Sequence, residues 1–116
     1  MGPGRYHLTI DGRSEVNIND KALVRMSLIR LVQICKMKIL RGPIIVKGVP
    51  ANPGVTGLVI IDFSTISIHT FSKSNKVMID VFSCKPYNYA KAKKFVIDTF
   101  KIKVAEVVLR TPKVNE

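Results

Sequence analysis

The sequence holds no tryptophan, two cysteines (Cys35 and Cys84) and two histidines (His7 and His69). Thiols so few and so far apart make neither a disulfide framework nor a CxxC metal knuckle. With so few imidazoles no four-ligand zinc set can be assembled, and metal chemistry is not expected. Apolar runs stop well short of the ~20 residues that a membrane-spanning helix needs. Met1 to Tyr6 lacks the apolar stretch of a secretory signal, so the cytosol is the default compartment. Acidic residues are scarce as well: eight Asp and Glu against nineteen Lys and Arg leave a formal charge of +11. What is plentiful is apolar, 47% of 116 residues and spread along the whole chain. Disorder is thereby excluded, and one domain over 1–116 can bury a core without metal or disulfide support. No linker, repeat or low-complexity tract divides it.

Tyr6–Asp11 alternates apolar and polar residues, the period of a half-buried strand. Asn19 or Asp20 can cap a helix over Lys21–Lys36, with Leu23, Val24, Leu28, Leu31, Val32, Ile34 and Cys35 on one broad apolar side. Met26 and Ile29 fall among the polar residues of that helix. Gly42-Pro43 precedes a short strand, Ile44–Val49, and the prolines and glycine of Val49–Gly54 read as a loop. Strands Thr56–Ile61, Thr65–Phe71 and Lys76–Cys84 follow, then a helix over Tyr89–Lys101 and a last strand, Val104–Leu109. The order β-α-β-β-β-β-α-β predicts an α+β fold: a two-layer αβ sandwich of a mainly antiparallel sheet with two helices on one face.

The basic balance admits a nucleic-acid-binding module. Lys91, Lys93, Lys94, Lys101 and Lys103 cluster on and after the second helix and could contact phosphates. The aromatics are not interleaved with them as stacking platforms, and no RNP, KH or helix-turn-helix signature is present. A solvated basic surface is the reading these residues favour.

The central strands hold the dense set of reactive side chains: Asp62, Ser64, His69, Asp80, Ser83 and Cys84. Taken singly, Ser64 reads as a turn serine, His69 as a sheet histidine and Cys84 as a small core residue. Asp80 shares a face with Cys84 and could pair with a surface lysine. Strict alternation puts Thr65, Ser67, His69 and Phe71 on one face, so Ser64 and His69 diverge. A site shared between them needs a turn or bulge near Phe63–Thr65. A Ser-His-Asp hydrolase is disfavoured, because no GxSxG elbow is present.

Gly4-Arg5-Tyr6-His7-Leu8, Val55-Thr56-Gly57-Leu58-Val59-Ile60-Ile61, Ser64, Ile68-His69-Thr70 and Asp80-Val81-Phe82-Ser83-Cys84 together resemble the small prokaryotic S-adenosylmethionine decarboxylases. The order of elements fits over the whole chain. The resemblance implies a self-cleaving enzyme of spermidine and polyamine synthesis that dimerises. Ser64 would become a pyruvoyl cofactor, His69 would assist the cut between Phe63 and Ser64, and Cys84 would donate a proton during turnover. In that chemistry the serine hydroxyl attacks the preceding carbonyl and converts amide to ester. Elimination and hydrolysis then leave a ketone, which takes up an amine substrate as a Schiff base and draws electrons from the departing carboxylate. The cut yields fragments 1–63 and 64–116.

This chain departs from the family pattern at the cut, with Phe63-Ser64-Thr65 where the family reads Glu-Ser-His. After the histidine it runs His69-Thr70-Phe71-Ser72-Lys73, where the family has His-Thr-Trp-Pro-Glu. Phe71 keeps an aromatic surface on which a base can stack, and Lys73 replaces a carboxylate suited to ribose hydroxyls. The substrate implied is therefore S-adenosylmethionine or a related amino acid in a reshaped pocket, at residues that include Phe71 and Lys73. The alternative is a non-processing homologue that serves as a structural or regulatory partner.

Overall fold

Alternating β-branched residues favour strands wherever one face can be buried. The computed structural model, which describes residues 4–113, contains six strands and two helices. They run β1 (Tyr6–Ser14), α1 (Lys21–Ile34), β2 (Ile39–Val49), β3 (Asn52–Ile61), β4 (Ser64–Phe71), β5 (Lys76–Ser83), α2 (Tyr89–Phe100) and β6 (Ile102–Arg110). The sheet order is β2-β3-β4-β5-β1-β6, and every neighbouring pair is antiparallel. Both helices lie on one face, so the α+β sandwich expected from the element order is the fold observed.

Between the layers sit Leu8, Ile10, Val55, Val59, Ile66, Ile68, Ile79 and Val81 from the sheet, against Val24, Leu28, Leu31, Val96 and Phe100 from the helices. Asp20 caps α1 by accepting from the Leu23 N–H at 3.1 Å, and Asn88 caps α2 by accepting from the Lys91 N–H at 3.0 Å. Ser14 Oγ donates to the Phe100 carbonyl at 2.6 Å, which ties the end of β1 to the end of α2. Thr70, buried on the core face, accepts from the Val55 N–H at 2.8 Å and donates to the Ile18 carbonyl at 2.9 Å. Phe100 is wholly enclosed. Truncating it to alanine is expected to lower unfolding free energy by about 3–5 kcal/mol, measured by denaturant titration.

Among the described residues the opposite face of the sheet carries no helix. His7, Thr9 and Asp11 of β1, Thr56, Leu58 and Ile60 of β3, and Thr65, Ser67, His69 and Phe71 of β4 point there by parity. Met78, Asp80 and Phe82 of β5 and Glu106, Val108 and Arg110 of β6 join them.

The segment Val49–Gly54 departs from the loop expected of its prolines. Val49 pairs with Asn52 across a two-residue turn at Pro50-Ala51, and β3 runs on through Pro53 and Gly54. Pro53 needs no donor there, because its carbonyl accepts from the Ser72 N–H at 3.0 Å. Gly54 passes so close to the Thr70 carbonyl that no Cβ would fit, and its φ of +152° suits glycine.

Candidate active site

Ile61 and Ser64 pair directly, so the β3–β4 hairpin closes on the two residues Asp62 and Phe63. The turn is clamped to the start of β2. The Asp62 N–H donates to the Lys38 carbonyl, and the Lys38 N–H donates to Asp62 Oδ1, each at 3.0 Å. So tight a closure forces Ser64 to a φ of +148°, where L side chains are rare. Backbone held this way costs about 1–3 kcal/mol and persists only where the surroundings over-determine it.

The carbonyl of Phe63, the one that precedes the serine, accepts from the Cys84 N–H at 2.9 Å. The Phe63 ring packs against the core edge, with Lys85 Nζ 4.1 Å from its centroid. A hydroxyl-bearing residue, the carbonyl it would attack and a main-chain donor on that carbonyl thus meet at one end of β4. Cys84 is half-buried there. Cys35 is instead sealed at the end of α1, where burial pushes its thiol up to about 12 and keeps it neutral packing material.

His69 lies five residues further along β4 and on the opposite face. At ~3.3 Å per residue the separation from Ser64 is roughly 16 Å. Thr56, directly across on β3, places its Oγ1 3.3 Å from His69 Nδ1. Phe71 ends the same strand, and Lys73 stands exposed in the following turn, its Nζ donating to the Ala51 carbonyl at 3.2 Å. The residues expected to form one site therefore fall into two groups, Phe63-Ser64 with Cys84 and Thr56-His69 with Phe71 and Lys73. The bulge that could have joined them is absent: the β3–β4 register runs unbroken from Thr56↔His69 to Ile61↔Ser64.

Asp80 faces His7, its Oδ2 2.9 Å from Nε2, rather than a lysine. The contact is electrostatic more than a well-aligned hydrogen bond, since that buried ring nitrogen lacks a partner in good geometry. Thr56 and the Cys84 N–H escape a reading by residue type. The first was countable from the register that a two-residue turn imposes, and the second needs the β4–β5 alignment.

Strain at position 64 has a measurable consequence. Glycine tolerates a positive φ and alanine does not, so Ser64→Gly is expected to exceed Ser64→Ala in stability by about 1 kcal/mol. The reverse order would be normal at a strand position of negative φ. Urea unfolding of the two variants decides it.

The S-adenosylmethionine decarboxylase family model matches residues 6–110, from the first strand to the last. The chain belongs to that family. Among solved structures it is similar to the crystal structure of the adenosylmethionine decarboxylase from Aquifex aeolicus. The TM-score is 0.78 at 22% identity, over 100% of this chain and 96% of that one. The likeness at this identity is one of fold: the two helices and six-stranded antiparallel sheet are those of an S-adenosylmethionine decarboxylase. No curated protein matches the chain in sequence.

Proposed function

We propose that this member of the S-adenosylmethionine decarboxylase family severs its own chain between Phe63 and Ser64. The pyruvoyl group so made would decarboxylate S-adenosylmethionine, or a related amino acid, in polyamine synthesis. The observation that carries the reading is the Phe63 carbonyl, held by the Cys84 N–H beside a serine at a strained φ.

In the first step Ser64 Oγ attacks the Phe63 carbonyl carbon, and charge develops on the carbonyl oxygen. The Cys84 N–H already points at that oxygen, and one such donor is commonly worth about 10²–10³ in rate. The C–N bond then breaks, the proton from Oγ passes to the Ser64 nitrogen, and an ester replaces the amide. Leaving the strained peptide geometry favours this direction. A base next removes the Ser64 α-proton, and the Phe63 carboxylate departs from Cβ. Water finally replaces the nitrogen, which leaves as ammonia.

The residues present fit a pyruvoyl group at position 64: the turn holds it at a strand end, beside the carbonyl that the Cys84 N–H engages. Once formed, such a group supplies a carbonyl that accepts an amine and serves as an electron sink. Cys84 would return a proton to the substrate carbon after carboxylate loss.

The base is the step that one protomer does not complete, since its own His69 lies at the wrong end and on the other face. His69 lies on the uncovered sheet face and the Phe63-Ser64 turn closes at the end of the sheet, so a homodimer stacked through that face could bring a second His69 to that end. His69 of one protomer, oriented through Thr56, would then serve Ser64 of its partner, with Phe71 and Lys73 lining the substrate side. Lys73 in place of a carboxylate weakens any hold on ribose hydroxyls and favours an amino acid other than a sulfonium. Intact mass of the purified chain tests the reading. Fragments 1–63 and 64–116 support it, and a chain that stays whole makes the protein a non-processing homologue.

A further inference from the structure

Lys85 stands over the residue at which the proposed cut leaves a new charge. Its Nζ lies 4.1 Å from the Phe63 ring centroid, and the residue before it, Cys84, donates its N–H to the Phe63 carbonyl at 2.9 Å. The lysine is half-buried and lines a concavity of about 400 Å³ together with Lys36, at the end of α1, and Lys91, in the first turn of α2. No Asp or Glu is among the described residues that line it, and none of the three lysines forms an ion pair among the described residues. The carboxylate of the β3–β4 turn itself, Asp62, accepts from the Lys38 N–H. An aromatic face holds an ammonium less firmly than a carboxylate does. An anion appearing at Phe63 would therefore meet a cation that has no counter-charge of its own.

We propose that Lys85 is the counter-ion of the carboxylate that self-cleavage creates at Phe63, and that it speeds the step in which this carboxylate departs. The inference rests on the proposed cut at Ser64 and gives a residue to its second half. After the acyl shift, Phe63 is joined to Ser64 through an ester. A base takes the Ser64 α-proton, its electron pair forms the Cα–Cβ double bond, and the bond from Cβ to the ester oxygen breaks. The electrons of that bond stay on the Phe63 carboxylate, a full negative charge where a neutral ester stood. Attraction to an ammonium already in place grows only as that charge develops, so it lowers the barrier and leaves the uncut chain unaffected. Charge on the same carbonyl during the first attack is transient, and the Cys84 N–H serves it. Lys36 and Lys91 add positive potential from the same concavity. Once formed, the ion pair would tie the new end of fragment 1–63 to fragment 64–116.

The test is a time course of maturation read by mass spectrometry, with Lys85→Met, Lys85→Gln and Lys85→Arg beside wild type. Losing a charge-assisted contact slows a step by roughly ten- to a hundredfold, and the two neutral replacements are expected to mature that much more slowly. Lys85→Arg should keep nearly the wild-type rate. Arginine retains the charge and cannot take up a proton, so its rescue separates a counter-ion from a base. A second readout isolates the departure step. The ester either eliminates or is hydrolysed, and hydrolysis leaves fragment 64–116 with an amino-terminal serine. Slower elimination raises the serine-started share, whatever the speed of the first attack. That share should rise with Lys85→Met and Lys85→Gln and stay at the wild-type level with Lys85→Arg. Far-UV circular dichroism checks that each variant is folded, and two neutral replacements of different polarity keep the comparison if one is not. The proposal is overturned by a folded neutral variant that matures as wild type does, or by an Lys85→Arg chain as slow as the neutral ones. It is equally overturned by slow neutral variants whose serine-started share is unchanged. Each of these outcomes leaves self-cleavage at Ser64 standing, whereas a wild type that stays whole ends both.

Discussion

Wild-type protein left to mature is expected to resolve under denaturing conditions into fragments 1–63 and 64–116. Ser64→Ala is expected to persist as a single species near the full 12.9 kDa. The effect is all or none, because the attacking oxygen is removed and no other side chain replaces it at the Phe63 carbonyl. The second fragment carries a further signature. Simple hydrolysis would leave an amino-terminal serine, whereas the elimination route leaves a keto group and a fragment lighter by one ammonia. Mass spectrometry of the light fragment therefore distinguishes a proteolytic nick from self-processing. A full-length wild-type chain, or a serine-started fragment, would remove the enzyme reading and leave the family membership untouched.

Mixing Ser64→Ala with His69→Ala chains should produce cutting that neither shows alone. Ser64→Ala keeps the imidazole and lacks the nucleophile, and His69→Ala is the converse. Loss of a general base typically slows such a step by about 10²–10⁴, so His69→Ala by itself is expected to stay essentially whole. In a randomly reassorted mixture, about half of the His69→Ala chains acquire a Ser64→Ala partner and are cut, while every Ser64→Ala chain remains intact. Denaturing electrophoresis counts the two populations. If histidine and serine acted within one protomer, the mixture would show nothing beyond its components. The geometry argues against that arrangement, because their separation along β4 is roughly 16 Å and they emerge on opposite faces.

Much of the fold was legible from local pattern. The alternation in Tyr6–Asp11 and the cap offered by Asn19 or Asp20 signal elements through their own residues. Pro53 and Gly54 misled for a physical reason. Composition marks them as breakers, but Pro53 only has to accept, and the absent Cβ of Gly54 lets β3 pass close to β4. The divergence of Ser64 and His69 followed from parity alone, and the structure keeps it. What parity could not supply was Cys84 as a main-chain donor, because that depends on how β4 and β5 align at their ends. Thr56 stood in the matched segment without a role until the hairpin register set it opposite His69.

The strand order has a last consequence. Fragment 1–63 would own β2, β3 and β1, and fragment 64–116 would own β4, β5 and β6, so the pieces interleave across the sheet as β2-β3, then β4-β5, then β1, then β6. A nicked molecule could not come apart by sliding; it would have to lose three separate seams at once. Once apart, however, reassembly is a meeting of two bodies and slows with dilution, where the uncut chain refolds at a rate indifferent to it. Maturation would thus make the protein's survival through heat depend on how much of it is present.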